Sequence, residues 1–178
     1  MTATLTIRDK TFRILYNEQQ IADAVEAISD RINQELADAR PVFIAVLNGA
    51  FMFAADLLKK VRIPCEISFV KMQSYEGTAS TGTVKSLIGL DVNVEGRTVV
   101  VIEDIVDTGL TLEALAALLN ERKIRSMKVA TLLFKSAAYR RTTRPDYVGF
   151  EVPDQFVVGY GMDYCGEGRN LKEVHVLA

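Results

Sequence analysis

A chain of 178 residues is long enough to bury one substantial core and does not require a second domain. Its 21 basic and 23 acidic side chains leave a net charge of −2, with a pI near 5.5, so there is no basic field to hold nucleic acid and a small-molecule partner is the expectation. No apolar run approaches a membrane span, and Met1-Thr2-Ala3-Thr4-Leu5 lacks the charged and apolar regions of a secretory signal.

Taken in chain order, Ile21, Val25, Ile28, Ile32 and Leu36 recur at helical spacing with charged and amide residues between them, which predicts an amphipathic helix ahead of Pro41. Val42 to Leu47 reads as an apolar strand, Ala50 to Lys60 as a helix and Glu66 to Met72 as a strand. Cys65, at the head of that β-rich run, reads as a small core residue, and Cys165 as an accessible thiol in a Gly-rich loop. Two such distant cysteines fit reduced thiols of a cytoplasmic protein better than a disulfide framework. Gln73 to Ser86 is rich in Gly, Ser and Thr; it fits a flexible loop able to close as a lid, or equally an ordinary hairpin connection.

Thr98 to Ile102 is continuous and β-branched, as expected of a strand buried on both faces of a parallel sheet. A helix from Leu112 to about Ile124 and a strand from Lys128 to Phe134 follow. From Pro153 onward aromatic and glycine residues replace the helical pattern, which suggests a small irregular cap. His175, the single histidine, sits in the apolar strand Val174 to Leu177 and reads as structural. The alternation implies an α/β fold: one domain over residues 1–178, built on a doubly wound, mostly parallel sheet.

Chemistry concentrates after the strand at Thr98. Open parallel sheets bind ligands at the carboxyl ends of their strands, and there this chain places Glu103, Asp104 and Asp107, then Thr108-Gly109-Leu110-Thr111 at the start of a helix. Free amides at the helix start, a glycine and two threonine hydroxyls make a seat for one phosphate monoester. Carboxylates beside an anion seat make sense if the ligand also carries vicinal sugar hydroxyls and a divalent cation, which together describe a ribose 5-phosphate unit held with Mg²⁺. The competing reading is a solvated acidic turn with Asp107 or Thr108 as an N-cap, although neither has Glu or Gln three positions on. With one histidine, no CxxC pair, no Walker loop and no GxGxxG, the usual fingerprints of zinc sites, hydrolase triads, nucleotide hydrolysis and dinucleotide binding are missing.

The segment Val100 to Thr111 resembles the signature of the type I phosphoribosyltransferases: apolar residues, two acids, two apolar residues, then Asp-Thr-Gly-x-Thr. Leu47-Asn48-Gly49-Ala50-Phe51-Met52-Phe53, Ser74-Tyr75, Leu132-Leu133-Phe134-Lys135 and Val148-Gly149-Phe150-Glu151-Val152-Pro153-Asp154-Gln155-Phe156-Val157-Val158-Gly159-Tyr160-Gly161-Met162-Asp163-Tyr164 narrow the resemblance to the hypoxanthine-guanine branch, over nearly the whole chain.

The resemblance implies that fold with a C-terminal hood at about residues 153–173, joined by part of the N-terminus, and a lid at about 73–86 carrying Ser74 and Tyr75. It implies 5-phosphoribosyl 1-diphosphate and a 6-oxopurine as partners, Mg²⁺ as cofactor, and a homodimer or homotetramer. Glu103, Asp104, Asp107, Thr108, Gly109, Leu110 and Thr111 would hold the phosphoribosyl unit, with Asp107 as general base. Lys135 would read the exocyclic oxygen of the purine, Phe156 would stack on the base, and Val157 and Asp163 would offer backbone carbonyls. Leu47, Asn48 and Gly49 would bind pyrophosphate through main-chain amides, at a loop where relatives often have a strained peptide before the second residue. Many relatives carry Lys or Arg where this chain has Asn48, so a role for that side chain is not expected. Arg169 would bind pyrophosphate directly, and Glu103, Asp104 and Asp163 would serve the metal. Taken alone, Lys135 could be a solvated strand end, Phe156 a core residue, and Arg169 a surface partner of Glu167 or Glu173. Rival functions are transfer to another base, such as xanthine or a pyrimidine, and a non-catalytic sensor of phosphoribosyl diphosphate.

Overall fold

The computed structural model describes residues 4–74, 84–88, 90–141 and 144–178. In chain order the elements are β1 (Thr4–Ile7), β2 (Lys10–Tyr16), α1 (Glu18–Glu35), β3 (Val42–Leu47), α2 (Phe51–Lys60), β4 (Glu66–Ser74), β5 (Val84–Ile88), β6 (Thr98–Val106), α3 (Leu110–Glu121), β7 (Ser126–Phe134), β8 (Tyr147–Glu151), β9 (Val157–Val158) and β10 (Val174–Leu177). They form two sheets. The larger has the order β5-β4-β3-β6-β7-β8, parallel from β4 to β8, with β5 antiparallel at its edge.

The apolar runs explain the middle of this sheet. Val42 to Val46 and Thr98 to Glu103 are buried without a break, because a parallel strand covered on both faces has no solvent side to alternate with. One face packs Phe43, Ala45, Val100 and Ile102 against α1 and α2; the other packs Ile44, Val99 and Val101 with Leu112, Leu115 and Leu119 of α3. The sheet is therefore doubly wound, as expected. α1 is fixed at its start by a capping box, in which the Asn17 side chain accepts from the Gln20 amide and the Gln20 side chain accepts from the Asn17 amide. Tyr147, fully buried on β8, donates to Glu35 of α1 at 2.9 Å and so ties the far edge of the sheet to that helix.

Several sequence expectations need correction. The strand expected to stop at Ile102 runs on to Val106, since its ladder with β7 continues through Val106 opposite Phe134 and backbone pairing is indifferent to side-chain polarity. The helix after it spans Leu110 to Glu121 rather than Leu112 to Ile124. Gln73, Ser74 and Val84 to Ser86 belong to the β4–β5 ladder, so the expected loop is shorter at both ends; its remainder, including Tyr75, lies outside the described residues. The cap is less irregular than expected: a second, antiparallel sheet of order β1-β2-β10-β9 joins the N-terminal strands to the C-terminal one. Cys65 is exposed rather than core, like Cys165. Helices α1 and α2 lie over β3, β6, β7 and β8, while Ile67 and Phe69 on β4 remain 42% and 41% exposed.

Candidate active site

β6 and β7 end side by side, and the hood arches over them. Lys135 follows β7 directly, its amide held by the Val106 carbonyl at 2.9 Å, so the two strand ends deliver Lys135 and Asp107 to the same place. A cavity of about 300 Å³ opens there, with Asp104, Asp107 and Lys135 on the sheet side, Phe156, Asp163 and Arg169 on the hood side, and Gly49 at one wall. Beside it, a cradle of about 80 Å³ is lined by Glu103, Asp107 and residues Thr108 to Leu112. Size alone would select another cavity, about 470 Å³, between α1, α2 and the hood. Its lysines Lys59, Lys60 and Lys172 face Asp56, Glu26 and Glu18, which leaves little free charge for a ligand.

The cradle has the character of an anion seat. α3 begins with Gly109 as its N-cap at φ 85°, and no side chain caps it, so neither Asp107 nor Thr108 acts as the N-cap. The first amides of α3 are thus available to a ligand, and the helix dipole favours an anion there. Only glycine suits position 109, because φ is positive and a Cβ would lie 2.5 Å from the Tyr139 ring.

Carboxylates meet the two openings from opposite faces of β6, since successive residues on a strand alternate. Glu103 is buried, and burial, aided by the charge of Asp104, pushes its carboxyl well above the usual range. Burial also raises Asp104, to about 6; hydrogen bonds from the Ile105 amide and its own, together with Arg169, oppose the rise, and the like charge of Asp163 adds to it. Asp163 accepts from the Gly166 amide at 2.7 Å and pairs with Arg169 at 2.5 Å, and Arg169 also donates to the Gly161 carbonyl at 2.7 Å. Glu167 pairs with Arg8 at 2.9 Å and Glu173 lies 3.7 Å from His175, so Arg169 pairs with Asp163 rather than with either of those neighbours.

Lys135 is nearly buried and stands 3.0 Å from both Asp107 and Asp154. Burial alone would lower its pKa; the hydrogen bonds and charges of Asp154 and Asp107 outweigh that and raise it, so the ammonium is charged. The solvated strand-end alternative for Lys135 therefore fails. Phe156 is 43% exposed at the cavity mouth, its ring braced by Tyr164 and Phe12 at 5.7 and 6.3 Å, which removes the core reading for this residue. Val157 is buried in β9 and lines the same cavity.

The loop Leu47-Asn48-Gly49 joins β3 to α2, and its Leu47–Asn48 peptide is cis. The Asn48 side chain is exposed. Gly49 is pressed between the carboxylate of Asp104 and the backbone of Gly161, whose own missing Cβ would run into the Gly49 carbonyl. Ser74 ends β4.

Among the described residues no three acidic, His or Cys side chains converge to cage an ion by themselves. Asp104 and Asp163 do face one cavity, and Mg²⁺ commonly uses one or two carboxylates together with water and substrate phosphates. The donor set fits a hard divalent cation carried by a phosphorylated ligand. Two features escaped the sequence reading: Asp154, visible only in the Pro-Asp-Gln-Phe string, and the contact of Gly161 with Gly49, for which no local signal exists.

Residues 13–165 match the phosphoribosyl transferase domain family. A hypoxanthine-guanine phosphoribosyltransferase of Bacillus subtilis (strain 168) is 43% identical over 166 residues, 93% of this chain and 92% of that relative. A crystal structure of a hypoxanthine phosphoribosyltransferase from Staphylococcus aureus superposes with a TM-score of 0.88 at 35% identity, over 93% of this chain and 91% of that one. A hypoxanthine-guanine phosphoribosyltransferase structure from Bacillus anthracis, with HEPES in its active site, gives 0.87 at 38% identity over 93% and 96%. An uncapped helix start beside a carboxylate-lined cavity at the strand ends of a doubly wound sheet is an arrangement that suits a phosphorylated ligand. The chain belongs to the phosphoribosyl transferase domain family and is a phosphoribosyltransferase.

Proposed function

We propose that this enzyme moves the phosphoribosyl group of 5-phosphoribosyl 1-diphosphate to hypoxanthine or guanine, giving IMP or GMP and pyrophosphate. The observation that carries the reading is Lys135, a nearly buried ammonium held between two carboxylates beside the exposed ring of Phe156. Such a donor suits a ring carbonyl and disfavours an amino group, which would set donor against donor.

In this reading the 5-phosphate occupies the cradle of Thr108 to Thr111, and Glu103 and Asp104 hold the ribose hydroxyls. The amides of the Leu47–Gly49 loop and Arg169 receive the pyrophosphate, the guanidinium through paired, charge-assisted hydrogen bonds. Phe156 stacks on the purine, while Val157 and Asp163 offer it backbone carbonyls. Mg²⁺, bound near Asp104 and Asp163, would shield the pyrophosphate charge. As the bond from ribose C1 to the pyrophosphate oxygen breaks, the carboxylates tolerate the positive charge that develops on the ribose. Asp107 takes the proton of the attacking purine nitrogen.

The exposed apolar side chains Ile67, Phe69 and Phe51, on β4 and α2, support association of copies of this chain into a dimer or tetramer. Two exposed, unpaired cysteines suit a reducing cytoplasm. No helix among the described residues is long and apolar enough to cross a membrane. Steady-state rates with hypoxanthine, guanine, xanthine and adenine, at saturating phosphoribosyl diphosphate and Mg²⁺, test the acceptor. Turnover of the 6-oxopurines without adenine is expected, and use of adenine overturns the assignment.

A further inference from the structure

Lys135 has three N–H donors, and two are already committed: one to Asp107 Oδ2 and one to Asp154 Oδ1, each at 3.0 Å. These anchors come from different parts of the fold. Asp107 opens the loop after β6, whereas Asp154 belongs to the hood segment between β8 and β9, two residues before Phe156. The lysine reaches them from the end of β7 with a side chain only 11% exposed. A flexible four-carbon stem held by one carboxylate would pivot about it; held by two, from separate segments of the fold, its third N–H has a set direction.

Resting on the 6-oxopurine reading above, we propose that Asp154 is a positioning residue for base selection. It aims the free donor of Lys135 at the purine carbonyl and keeps the ammonium from closing onto Asp107 alone. Asp154 itself is 66% exposed, so its contribution to folding is small and the effect of its loss falls on the base site. The same hood segment presents Phe156, so the ring that stacks on the base and the carboxylate that orients the base-reading lysine move together.

The test is a set of variants assayed with hypoxanthine and with phosphoribosyl diphosphate as the varied substrates. Asp154→Ala should raise the KM for hypoxanthine by about tenfold, as expected for an ill-placed hydrogen bond from a charged donor, and leave the KM for phosphoribosyl diphosphate within about twofold. Asp154→Glu, which restores the carboxylate, should recover most of that loss. In a Lys135→Met background, Asp154→Ala should have no further effect on hypoxanthine use, because the group it positions is gone. An unchanged KM for hypoxanthine, parallel rises for both substrates, or additive losses in the double variant would overturn the proposal. If the unaltered enzyme uses no 6-oxopurine, the acceptor reading itself has failed; if it does and the variants behave additively, only the role of Asp154 has failed.

Discussion

Gly49 lies against Asp104 so closely that a Cβ at position 49 would overlap the carboxylate oxygens. One residue belongs to the loop after β3 and the other to the end of β6, strands that are hydrogen-bonded neighbours. The contact places the amides of the proposed pyrophosphate loop beside the acid proposed to hold ribose and metal, so the two halves of one ligand would meet there.

Gly49→Ala should therefore damage catalysis out of proportion to its size. Overpacking costs about 1–3 kcal/mol, and here the displaced group is the Asp104 carboxylate. We expect the KM for phosphoribosyl diphosphate to rise by about tenfold or more with a modest fall in the unfolding midpoint. A variant with unaltered kinetics would show that the loop can shift freely.

Asp104 predicts a pH dependence of stability. Its carboxyl is raised from the ordinary 3.8 to about 6, chiefly by burial, so the folded protein binds this proton more tightly than the unfolded chain does. The associated stability is fully present below about pH 4 and is lost as pH rises through about 6. Asp104→Asn, which removes the charge, should be more stable than the parent at pH 7.5, by about 1–3 kcal/mol, and the gain should shrink toward pH 4. Urea unfolding of both proteins across that range checks the sign. The same variant should be nearly inactive, so stability and activity move in opposite directions.

Asp107→Asn keeps the shape of the side chain and removes its basicity. If Asp107 takes the purine proton, single-turnover rates should fall by about 10²–10⁴-fold. Binding of phosphoribosyl diphosphate should change little, since the amides of α3 are untouched. Equal single-turnover rates in variant and parent would dismiss the general-base role.

Phe156→Ala should weaken base binding while sparing the fold. The ring is already 43% exposed, so little buried area is lost within the protein. An aromatic stack is worth about 0.5–1.5 kcal/mol, which predicts a rise of roughly 2–12-fold in the KM for hypoxanthine. A fall in thermal stability with an unchanged KM would instead mark Phe156 as a packing residue of the hood, consistent with its contacts to Phe12 and Tyr164.

The parts of this protein legible in its sequence are those governed by local periodicity and local chemistry. The β-branched run from Thr98 and the spacing of Ile21, Val25, Ile28 and Ile32 each carry their own explanation, because burial on two faces and burial on one stripe both act within a few residues. Edge elements were harder to see. β1, β2 and β8 have mixed polarity, with one side of the hood strands solvated, and their pairing depends on partners as distant as β10.

Tertiary structure alone decided how the site is assembled. That a Cβ at position 49 would strike the carboxylate of Asp104, a residue remote in sequence, and that Lys135 is charged through Asp107 and Asp154, which reach it from separate segments, are both set by the fold. Likewise, Arg169 could have paired with Glu167 or Glu173, but the backbone path of the hood brings it to Asp163 and Gly161 instead. Residue types restrict what chemistry is available; distance and burial, which the sequence does not contain, determine which charges face one another and which carboxylates keep their protons.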